Sequence, residues 1–204
     1  MRIAIFGANG KTGILTVYQA LDKGHQVTAF ARDPSGVTIT HKNIRIVQGD
    51  ILEYEKVKQA VEGQEAIISA LGNDKKGRKT ILSEGTRNII KAMEECHVNR
   101  FICMSAAGIL RNDAGFMFGK IIIPLFLKQI YEDKIRQMEI IKESHLEWVI
   151  IRPVSLTDAP KTGSYKIRPD KPVSTSIPRA DVADFMLKLL VSKQYDRQIP
   201  AISS

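Results

Sequence analysis

The stretch that decides the fold is residues 2–13, which read Arg-Ile-Ala-Ile-Phe-Gly-Ala-Asn-Gly-Lys-Thr-Gly. Its apolar run predicts a buried strand that ends abruptly at Gly7. Gly10 allows the backbone to approach a ligand with no side chain between them, and Gly13 allows a helix to pack tightly on the sheet. That helix would direct its free N–H groups and the positive end of its dipole at a pyrophosphate. The stretch therefore predicts a dinucleotide-binding turn.

The segment after the glycines supports this interpretation because its periodicity is that of a helix. Ile14, Val17 and Leu21 fall on one face of the helix. Three polar side chains are predicted to lie off that face: Thr16, Gln19 and Lys23. Strand, glycines and helix thus follow one another in the order that a dinucleotide site requires.

Residues 10–12, Gly-Lys-Thr, also permit a rival interpretation, the phosphate loop of an ATPase or GTPase. That loop needs a glycine five residues before the glycine that precedes its lysine. The position is occupied by Ile5, inside the predicted strand. Since such a loop is too short to surround a triphosphate, the dinucleotide interpretation is favoured.

The composition is that of one globular domain spanning residues 1–204. The chain is 44% hydrophobic and 25% charged, and no second domain is required. Its net charge of +8 suits anionic ligands. No zinc pattern, aromatic RNA-binding motif or basic helix is present in the sequence, so a nucleic-acid partner is not expected. The one basic run, residues 74–79, is interpreted either as a solvated turn or as a grip on phosphates or an acidic substrate.

The apolar runs are too short to predict a membrane partner. The most apolar one, Phe116 to Leu127, is interrupted by Gly119, Lys120 and Pro124 and is expected to be a packed helix or pocket wall. The first predicted strand begins at residue 2 and leaves no room for a signal peptide. We therefore expect a cytoplasmic protein, monomeric or weakly dimeric.

The cysteines and histidines do not indicate a metal site or a redox pair. Cys96 and Cys103 lack the spacing of either and are interpreted as reduced packing residues. The histidines are scattered and are expected to be ordinary surface residues: His25, His41, His97 and His145. No bound metal is predicted.

Strands and helices alternate along the chain. Further strands are predicted at Gln26–Ala31, Ile44–Gln48, Glu65–Ala70, Arg100–Ser105 and Trp148–Arg152. Helices are predicted at Tyr54–Val61, Lys79–His97, Leu125–Ser144 and Arg179–Val191. This alternation predicts a Rossmann-type, doubly wound parallel sheet in a three-layer α/β/α fold. Residues 155–178 are predicted to form a small irregular lobe on the substrate side.

Ligands of such sheets bind outside the carboxyl ends of the strands, so the strand ends define the candidate cofactor site. The glycine turn supplies one part of it and the ends of the later strands supply the rest. The candidate cofactor contacts are Gly7, Asn9, Gly10, Lys11, Thr12, Gly13, Arg32, Asp50, Ile51, Ala70, Leu71, Gly72, Ser105, Arg152 and Pro153.

The residue that ends the second strand predicts which nucleotide is bound. NAD-specific folds usually place a carboxylate there for the ribose hydroxyls, and NADP-specific folds place a cation there for the 2′-phosphate. Here the strand ends in Arg32, which favours NADP(H), with a solvated arginine as the alternative. Asp33 follows, where it could instead cap the bend. Asp50 could accept from the adenine amino group or cap the next helix.

Together these residues resemble an atypical short-chain dehydrogenase/reductase, and in particular the flavin reductase, or biliverdin-IXβ reductase, branch of the NAD(P)H-binding proteins. The matching segments occur in the same order along nearly the whole chain. They are Ile3–Gly13, Ala31–Asp33, Gly49–Asp50, Ser83–Ile89, Met104–Ala106 and Asp181–Leu187. The resemblance implies NADPH bound along the glycine turn and Arg32, with Ser105 beside the nicotinamide. It also implies an open pocket for a flat, anionic acceptor.

The chain departs from the wider superfamily at its usual active-site pair, a Tyr four residues before a Lys. Lys134 falls in the lysine position, but Ile130 occupies the tyrosine position and Tyr131 is one residue out of register. The ordinary alcohol dehydrogenase mechanism is therefore not predicted, and the catalytic candidates are Ser105, Lys134 and Tyr131. The branch has a histidine near each of positions 134 and 155, where this chain has Lys134 and Ser155.

Helical periodicity also singles out Lys134. It lies within a predicted apolar arc made by Leu127, Ile130, Tyr131, Ile135, Met138 and Ile141. A lysine in such an arc either extends to the edge of the apolar surface or meets an anion or a cofactor ribose. Both interpretations are compatible with the sequence.

The leading hypothesis is an NADPH-dependent reductase of a planar conjugated acceptor, such as a flavin, a quinone-like compound or a linear tetrapyrrole. The main alternative is a redox sensor of the NmrA type that binds NADP(H) without chemistry, which the absence of a tyrosine at position 130 suits. An epimerase or isomerase of nucleotide-linked sugars is a third hypothesis. It is the least favoured, because it needs that tyrosine and a larger substrate domain.

Overall fold

The computed structural model describes residues 1–72, 78–110 and 127–204. The strands within these residues are β1 (Arg2–Phe6), β2 (Gln26–Ala31), β3 (Ile44–Gln48), β4 (Ala66–Ser69), β5 (Arg100–Met104), β6 (Glu147–Pro153), β7 (Ser155–Thr157), β8 (Lys166–Arg168), β9 (Ser176–Pro178) and β10 (Ala201–Ser203). The main sheet has the order β3-β2-β1-β4-β5-β6-β10-β8, and β7 pairs with β9 separately. All pairings are parallel except that of β8 with β10.

Helices cover both faces of this sheet. They are α1 (Lys11–Asp22), α2 (Tyr54–Val61), α3 (Ile81–Glu95), α4 (Lys128–Glu143) and α5 (Arg179–Lys188). Side chains of α1 and α5 pack into one apolar core, and those of α2, α3 and α4 pack into the other. Strand β1 is buried on both faces, which explains why its sequence is a continuous apolar run rather than an alternating one. The predicted Rossmann-type, three-layer fold is confirmed.

The core of the sheet matches the sequence expectations closely. The bounds predicted for β2, β3 and α2 coincide with those observed, and the other predicted elements differ by a few residues at their ends. The buried face of α3 contains Leu82, Gly85, Ile89 and Met93, which follow one another at helical spacing. The predicted basic run lies partly outside the described residues, as does all but one residue of the apolar stretch 116–127.

Some expectations were wrong, and each has a physical reason. The lobe at 155–178 is not wholly irregular, because β7 and β9 pair within it and β8 joins the main sheet through β10. These strands are three residues each, too short to show a periodicity. Thr16 was expected off the apolar face of α1 but is fully buried, with its hydroxyl donating to the carbonyl oxygen of Thr12 at 2.9 Å. This local hydrogen bond satisfies the hydroxyl and thus reduces the free-energy cost of burying the Thr16 side chain.

The buried face of α4 is also rotated about the helix axis relative to the predicted apolar arc. Ile135 was placed in the apolar arc but is 40% exposed, whereas Asp133 and Gln137 are buried. Both polar side chains bind groups of α3, so tertiary hydrogen bonds determine which face of α4 turns inward. Hydrophobic periodicity alone does not contain that information.

The turn between β1 and α1 is built by backbone contact. Gly7 has φ +78°, a conformation that favours glycine, and a side chain there would begin 2.7 Å from the carbonyl oxygen of Ala70. A side chain at Gly13 would begin only 2.0 Å from the carbonyl oxygen of Gly7. The first turn of α1 therefore sits directly against the end of β1, as the glycine spacing predicted.

A methyl group at position 13 should be costly, because its nearest neighbours are backbone atoms that cannot rotate away. We expect Gly13→Ala to lower the free energy of unfolding by about 2–3 kcal/mol, measured by urea denaturation. Gly72→Ala is the matched control, since a side chain there meets no atom within 4 Å. It should change stability by less than about 0.5 kcal/mol, and equal losses for the two variants would contradict the steric argument.

Candidate functional site

The candidate site lies at the carboxyl edge of the sheet, where the strand order reverses. Strand β1 lies between β2 and β4, so the chain continues to one side after β1 and to the other after β3. A crevice at such a switch point is the usual ligand site of open α/β sheets. Gly7 and Ala70 meet at this point and close the floor of the crevice.

The N-terminus of α1 opens onto this crevice. Gly10 is its N-cap residue and makes no side-chain capping bond, and the first turn holds no acidic residue. The Gly10 N–H donates to the carbonyl oxygen of Gly7 at 3.0 Å, which fixes the turn. The N–H groups at the start of α1, including that of Thr12, thus form an end of positive potential suited to an anion.

Asn9 and Asp33 connect the glycine turn with the end of β2. The Asn9 side chain donates to the carbonyl oxygen of Asp33 at 2.9 Å. The Asp33 carboxylate accepts from the N–H of Ser35 at 3.0 Å, and this hydrogen bonding lowers the pKa of Asp33. Asp33 therefore caps the bend after β2, which confirms one of its two interpretations. Arg32 is exposed at the same strand end, beside the glycine turn.

Asp50 and Ile51 lie in the connection between β3 and α2, shortly after the end of the strand. The Asp50 carboxylate accepts from the N–H of Leu52 at 3.1 Å and pairs with Arg78 at 3.0 Å. It therefore closes the turn that precedes α2 and does not cap that helix, whose N-cap is Glu53 without a side-chain capping bond. Contact of Asp50 with an adenine stays a prediction. Ile51 is buried against Gly85, where a side chain would begin 2.5 Å from the Ile51 Cγ1. Ile51 thus contributes mainly an apolar side chain that packs beneath this part of the edge.

The end of β4 provides the next part of the edge. The Ala70 N–H donates to the carbonyl oxygen of Phe6 at 2.9 Å, which continues the sheet up to the crevice. Leu71 is half-buried, and Gly72 is exposed with open space where a side chain would be. These positions agree with the predicted strand end, and their contact with a cofactor stays a prediction.

Ser105 lies at the end of β5 with a buried hydroxyl. Its N–H donates to the carbonyl oxygen of Ile151 at 2.8 Å, but its Oγ has no hydrogen-bond partner, although the residue is only 5% exposed. Ser69, at the end of the neighbouring β4, has a second buried Oγ, which lies beside the Cys103 thiol and interacts with it. Sequence reasoning missed Ser69, although a hydroxyl at the end of an apolar strand was a usable signal. Buried hydroxyls without partners are costly and indicate a polar ligand.

Helix α4 carries the two remaining catalytic candidates. The Tyr131 hydroxyl donates to the carbonyl oxygen of Ala107 at 2.9 Å, so it is held by the loop after β5. Lys134 is only 8% exposed, and its ammonium makes no hydrogen bond or ion pair with any residue that the structure describes. Burial lowers the pKa of Lys134, and the nearby Cys103 thiol and Asp133 carboxylate offset part of that effect.

This burial argues against one of the two interpretations of Lys134, and contact with an anion or a cofactor ribose stays a prediction. A lysine that extended to the edge of the apolar surface would expose its ammonium group. At 8% exposure Lys134 does not, which favours contact with an anion or a cofactor ribose. Cys103 is fully buried beside it, and burial raises the pKa of its thiol to about 12, so the thiol stays protonated.

Asp133, which sequence reasoning missed, fixes α4 to α3. Its buried carboxylate accepts from the N–H groups of Leu82 at 2.8 Å and Ser83 at 3.3 Å, in the first turn of α3. Gln137 adds a hydrogen bond from its side-chain amide to the Thr86 hydroxyl at 2.9 Å. A carboxylate at a helix N-terminus is favoured by the helix dipole. These contacts set the rotation of α4 and hence the burial of Lys134.

Arg152 is fully buried, and its guanidinium points toward backbone carbonyl groups. It donates to the carbonyl oxygens of Ile199 at 2.8 Å, Pro169 at 2.8 Å and Asp170 at 3.0 Å. The side chain therefore ties β6 to the C-terminal segment and to the lobe. A cofactor contact at this strand end is left to the backbone of Arg152 and Pro153, and stays a prediction.

Two buried carboxylates of α5 hold the lobe in place. Asp181 accepts from the N–H groups of Thr162 at 3.0 Å and Gly163 at 2.8 Å. Asp184 accepts from the Lys161 ammonium at 2.7 Å. Burial alone would raise the pKa of Asp184, but hydrogen bonds from Lys161 and two further side chains lower it to about 2. The loop that precedes β8 is thus fastened to α5 by charge-assisted hydrogen bonds.

The sequence matches the model of an NAD(P)H-binding family over residues 7–193, which is most of the chain. The chain belongs to that family. The glycine turn, the start of α1 and the carboxyl edge of the sheet are the candidate nucleotide site of this family member, and their contacts with a nucleotide stay predictions.

Solved structures with the same fold accompany this match. The oxidoreductase ylbE from Lactococcus lactis is 26% identical, with a TM-score of 0.85 over 100% of this chain and 91% of that one. A short-chain dehydrogenase/reductase from Veillonella parvula in complex with NADP is 19% identical, with a TM-score of 0.86 over 100% and 94%. A Streptococcus pneumoniae protein proposed to be an NADH-flavin reductase is 22% identical, with a TM-score of 0.82 over 99% and 98%.

The residues at the edge fit the family's nucleotide. Gly7 and Gly13 leave no room for side chains at the turn, so the start of α1 stays open to the pyrophosphate. The buried Oγ atoms of Ser69 and Ser105 and the buried ammonium of Lys134, which makes no hydrogen bond or ion pair among the described residues, supply polar groups further along the edge. A bound NAD(P)H would satisfy donors and acceptors that the protein alone leaves unmet.

Two further properties concern residues 1–72, 78–110 and 127–204. Among those residues no group of three or more His, Cys, Asp or Glu side chains could hold a metal ion. Within the same ranges, no helix combines the length and the apolar character needed to cross a bilayer. Both thiols are free, with Cys96 half-buried and Cys103 buried.

The buried ammonium of Lys134 should cost stability in the protein without cofactor. Its pKa is lowered from 10.5, so the penalty is greatest at low pH, where the ammonium is charged in both states, and disappears as the pH rises toward 10.5. We expect Lys134→Met to raise the free energy of unfolding by about 1 kcal/mol at pH 7, measured by urea denaturation, with a smaller gain at high pH.

Lys128→Met is the matched control, because Lys128 lies on the same helix with its side chain 71% exposed. Its replacement should leave stability within about 0.5 kcal/mol of the native protein. A loss of stability in Lys134→Met at pH 7 would show that the ammonium has a favourable partner in the protein without cofactor.

Proposed function

We propose that the protein is an NADPH-dependent reductase that transfers hydride to a planar conjugated acceptor, such as a flavin, a quinone-like compound or a linear tetrapyrrole. One observation carries the proposal. A buried Ser105 hydroxyl and a buried Lys134 ammonium, both without a hydrogen-bond partner among the described residues, lie at the carboxyl edge of an NAD(P)H-binding fold. Polar groups left unsatisfied in this way are costly unless a ligand uses them.

The absence of a tyrosine in the usual register suits this type of acceptor. Ile130 cannot donate a proton, and the Tyr131 hydroxyl already donates to the carbonyl oxygen of Ala107. When hydride reaches a conjugated ring system, the negative charge spreads over that system, and water can supply the proton. Positioning and electrostatics can then provide most of the rate enhancement.

Each residue has a distinct role in this scheme. NADPH supplies the hydride. Ser105 orients the carboxamide or the acceptor through its hydroxyl, and Lys134 stabilises developing negative charge in a site of low dielectric constant. The exposed guanidinium of Arg32 binds the 2′-phosphate. The neighbours from Lactococcus lactis and Streptococcus pneumoniae support a reductase, and the NADH named for the latter makes the choice of nucleotide a separate question.

One alternative function is that of an NADP(H)-binding redox sensor without catalytic activity. The observation that favours it is the engaged Tyr131 hydroxyl beside Ile130, which leaves the usual proton donor absent. Such a protein would bind the nucleotide and respond to its redox state through a partner. The two candidates differ in a single measurable property, the oxidation of bound NADPH.

Oxidation of NADPH in the presence of acceptors tests the proposal. We expect the absorbance of NADPH to fall when FMN, a quinone or a linear tetrapyrrole is supplied in turn, with at least one acceptor giving saturable turnover. NADPH binding is measured alongside by calorimetry. Tight binding without oxidation for all three acceptors would contradict the reductase and favour the sensor.

Removal of the Ser105 hydroxyl should separate binding from turnover. We expect Ser105→Ala to lower kcat by about tenfold or more while NADPH binds as in the native protein, because the hydroxyl acts on the reacting groups. Ser192→Ala removes the same atom far from the carboxyl edge and should leave kcat unchanged. An unchanged kcat in Ser105→Ala would remove Ser105 from the mechanism.

Arg32 should determine the choice of nucleotide. We expect Arg32→Ala to raise the Kd for NADPH by roughly 10- to 100-fold, which is the range for a charge-assisted bidentate contact, and to leave the Kd for NADH nearly unchanged. Calorimetric titration of both nucleotides checks this. Equal affinity of the native protein for NADH and NADPH would contradict the role of Arg32.

A further inference from the structure

An ionic clasp joins the glycine turn to the substrate-side lobe. The Lys11 ammonium binds one carboxylate oxygen of Asp158 at 2.8 Å, and the Arg179 guanidinium binds the other. Lys11 is the first residue of α1, directly after Gly10, and Arg179 is the first residue of α5. Asp158 directly follows β7 in the lobe. One carboxylate thus bridges cations at the starts of two helices that pack against each other.

The clasp consists of charged side chains, and two of its three members, Lys11 and Asp158, are exposed at the surface. The hydrogen bond from Lys11, assisted by the Arg179 charge, lowers the pKa of Asp158, so the carboxylate stays ionised at neutral pH. The side chains of Lys11 and Asp158 are 71% and 64% exposed. An exposed pair of this kind contributes little to stability, so a stronger anion can displace the carboxylate.

The lobe does not need the clasp to stay in place. Asp181 binds the N–H groups of Thr162 and Gly163, and Asp184 binds the Lys161 ammonium. Both carboxylates are buried, and these contacts are independent of Asp158. The lobe is therefore held against α5 without the contacts that Asp158 makes.

We propose that Asp158 sets the affinity for the nucleotide by competing with its pyrophosphate for the Lys11 ammonium. The proposal rests on the nucleotide-binding part of the proposed function and not on hydride transfer. A pyrophosphate at the N-terminus of α1 lies beside the first residue of that helix, which is Lys11. Its two negative charges displace the single charge of Asp158, and Arg179 keeps the released carboxylate in the lobe.

Binding to Asp158→Asn tests the sign of this effect. If Asp158 is a competitor, the variant binds NADPH and NADH more tightly, each by about two- to fivefold, because the pyrophosphate is common to both. A residue that merely supported the fold would weaken binding when replaced. Calorimetric titration of the protein without acceptor gives the Kd, and thermal unfolding checks that the variant is folded.

Two variants make the test specific. Lys11→Gln should weaken binding of both nucleotides, and the gain from Asp158→Asn should vanish when it is combined with Lys11→Gln. Glu95→Gln is the matched control, because Glu95 forms an exposed pair with Lys58 at 2.7 Å, distant from the carboxyl edge. It makes the same change in net charge and should leave both Kd values unchanged.

Three outcomes would overturn the proposal. They are weaker binding in Asp158→Asn, a gain confined to NADPH, and an equal gain in Glu95→Gln. The first would make Asp158 a supporting residue, the second would place the 2′-phosphate rather than the pyrophosphate at Lys11, and the third would reduce the effect to net charge. All these outcomes are measured as nucleotide affinities. They can therefore be interpreted even if none of the acceptors is reduced in the assay of the proposed function.

Discussion

The contact on which the rest of the structure depends is the backbone approach at the turn after β1. A side chain at Gly13 would begin 2.0 Å from the Gly7 carbonyl oxygen, and one at Gly7 would begin 2.7 Å from that of Ala70. Strand β1, strand β4 and helix α1 therefore meet with no side chain between them. Because no side-chain cap or acidic residue covers the start of α1, this contact leaves a positive helix end at the switch point of the sheet.

The second constraint is the rotation of α4, which polar contacts determine. Asp133 caps the first turn of α3, Gln137 binds Thr86, and the Tyr131 hydroxyl binds the loop after β5. These hydrogen bonds bury one side of the helix even though Lys134 lies there without a partner among the described residues. Natural proteins tolerate such local costs mainly at functional sites. The unfavourable burial of Lys134 is thus more informative about function than the favourable contacts around it.

The sequence could predict the elements whose signals are local. β2, β3 and α2 were placed at their observed bounds because each is long enough to show a periodicity, and the glycine turn has a steric signature of its own. The three-residue strands β7 to β10 have no such signal, and their pairing depends on distant partners. The cap that Asp133 provides joins residues about fifty positions apart. The sequence around Asp133 carries no local signal for this cap, because the contact depends on the packing of α4 on α3.

Local pairing also changes what the net charge of +8 means for ligand binding. At the carboxyl edge Lys11 pairs with Asp158 and Arg78 pairs with Asp50, so these cations already have carboxylate partners. Exposed charges are further screened by salt, which limits the attraction that a surface excess can exert on a nucleotide or an acceptor. The buried ammonium of Lys134 is screened less than these exposed cations, because water and ions are largely excluded around it. A single buried charge can therefore contribute more to the recognition of an anionic acceptor than the much larger surface excess.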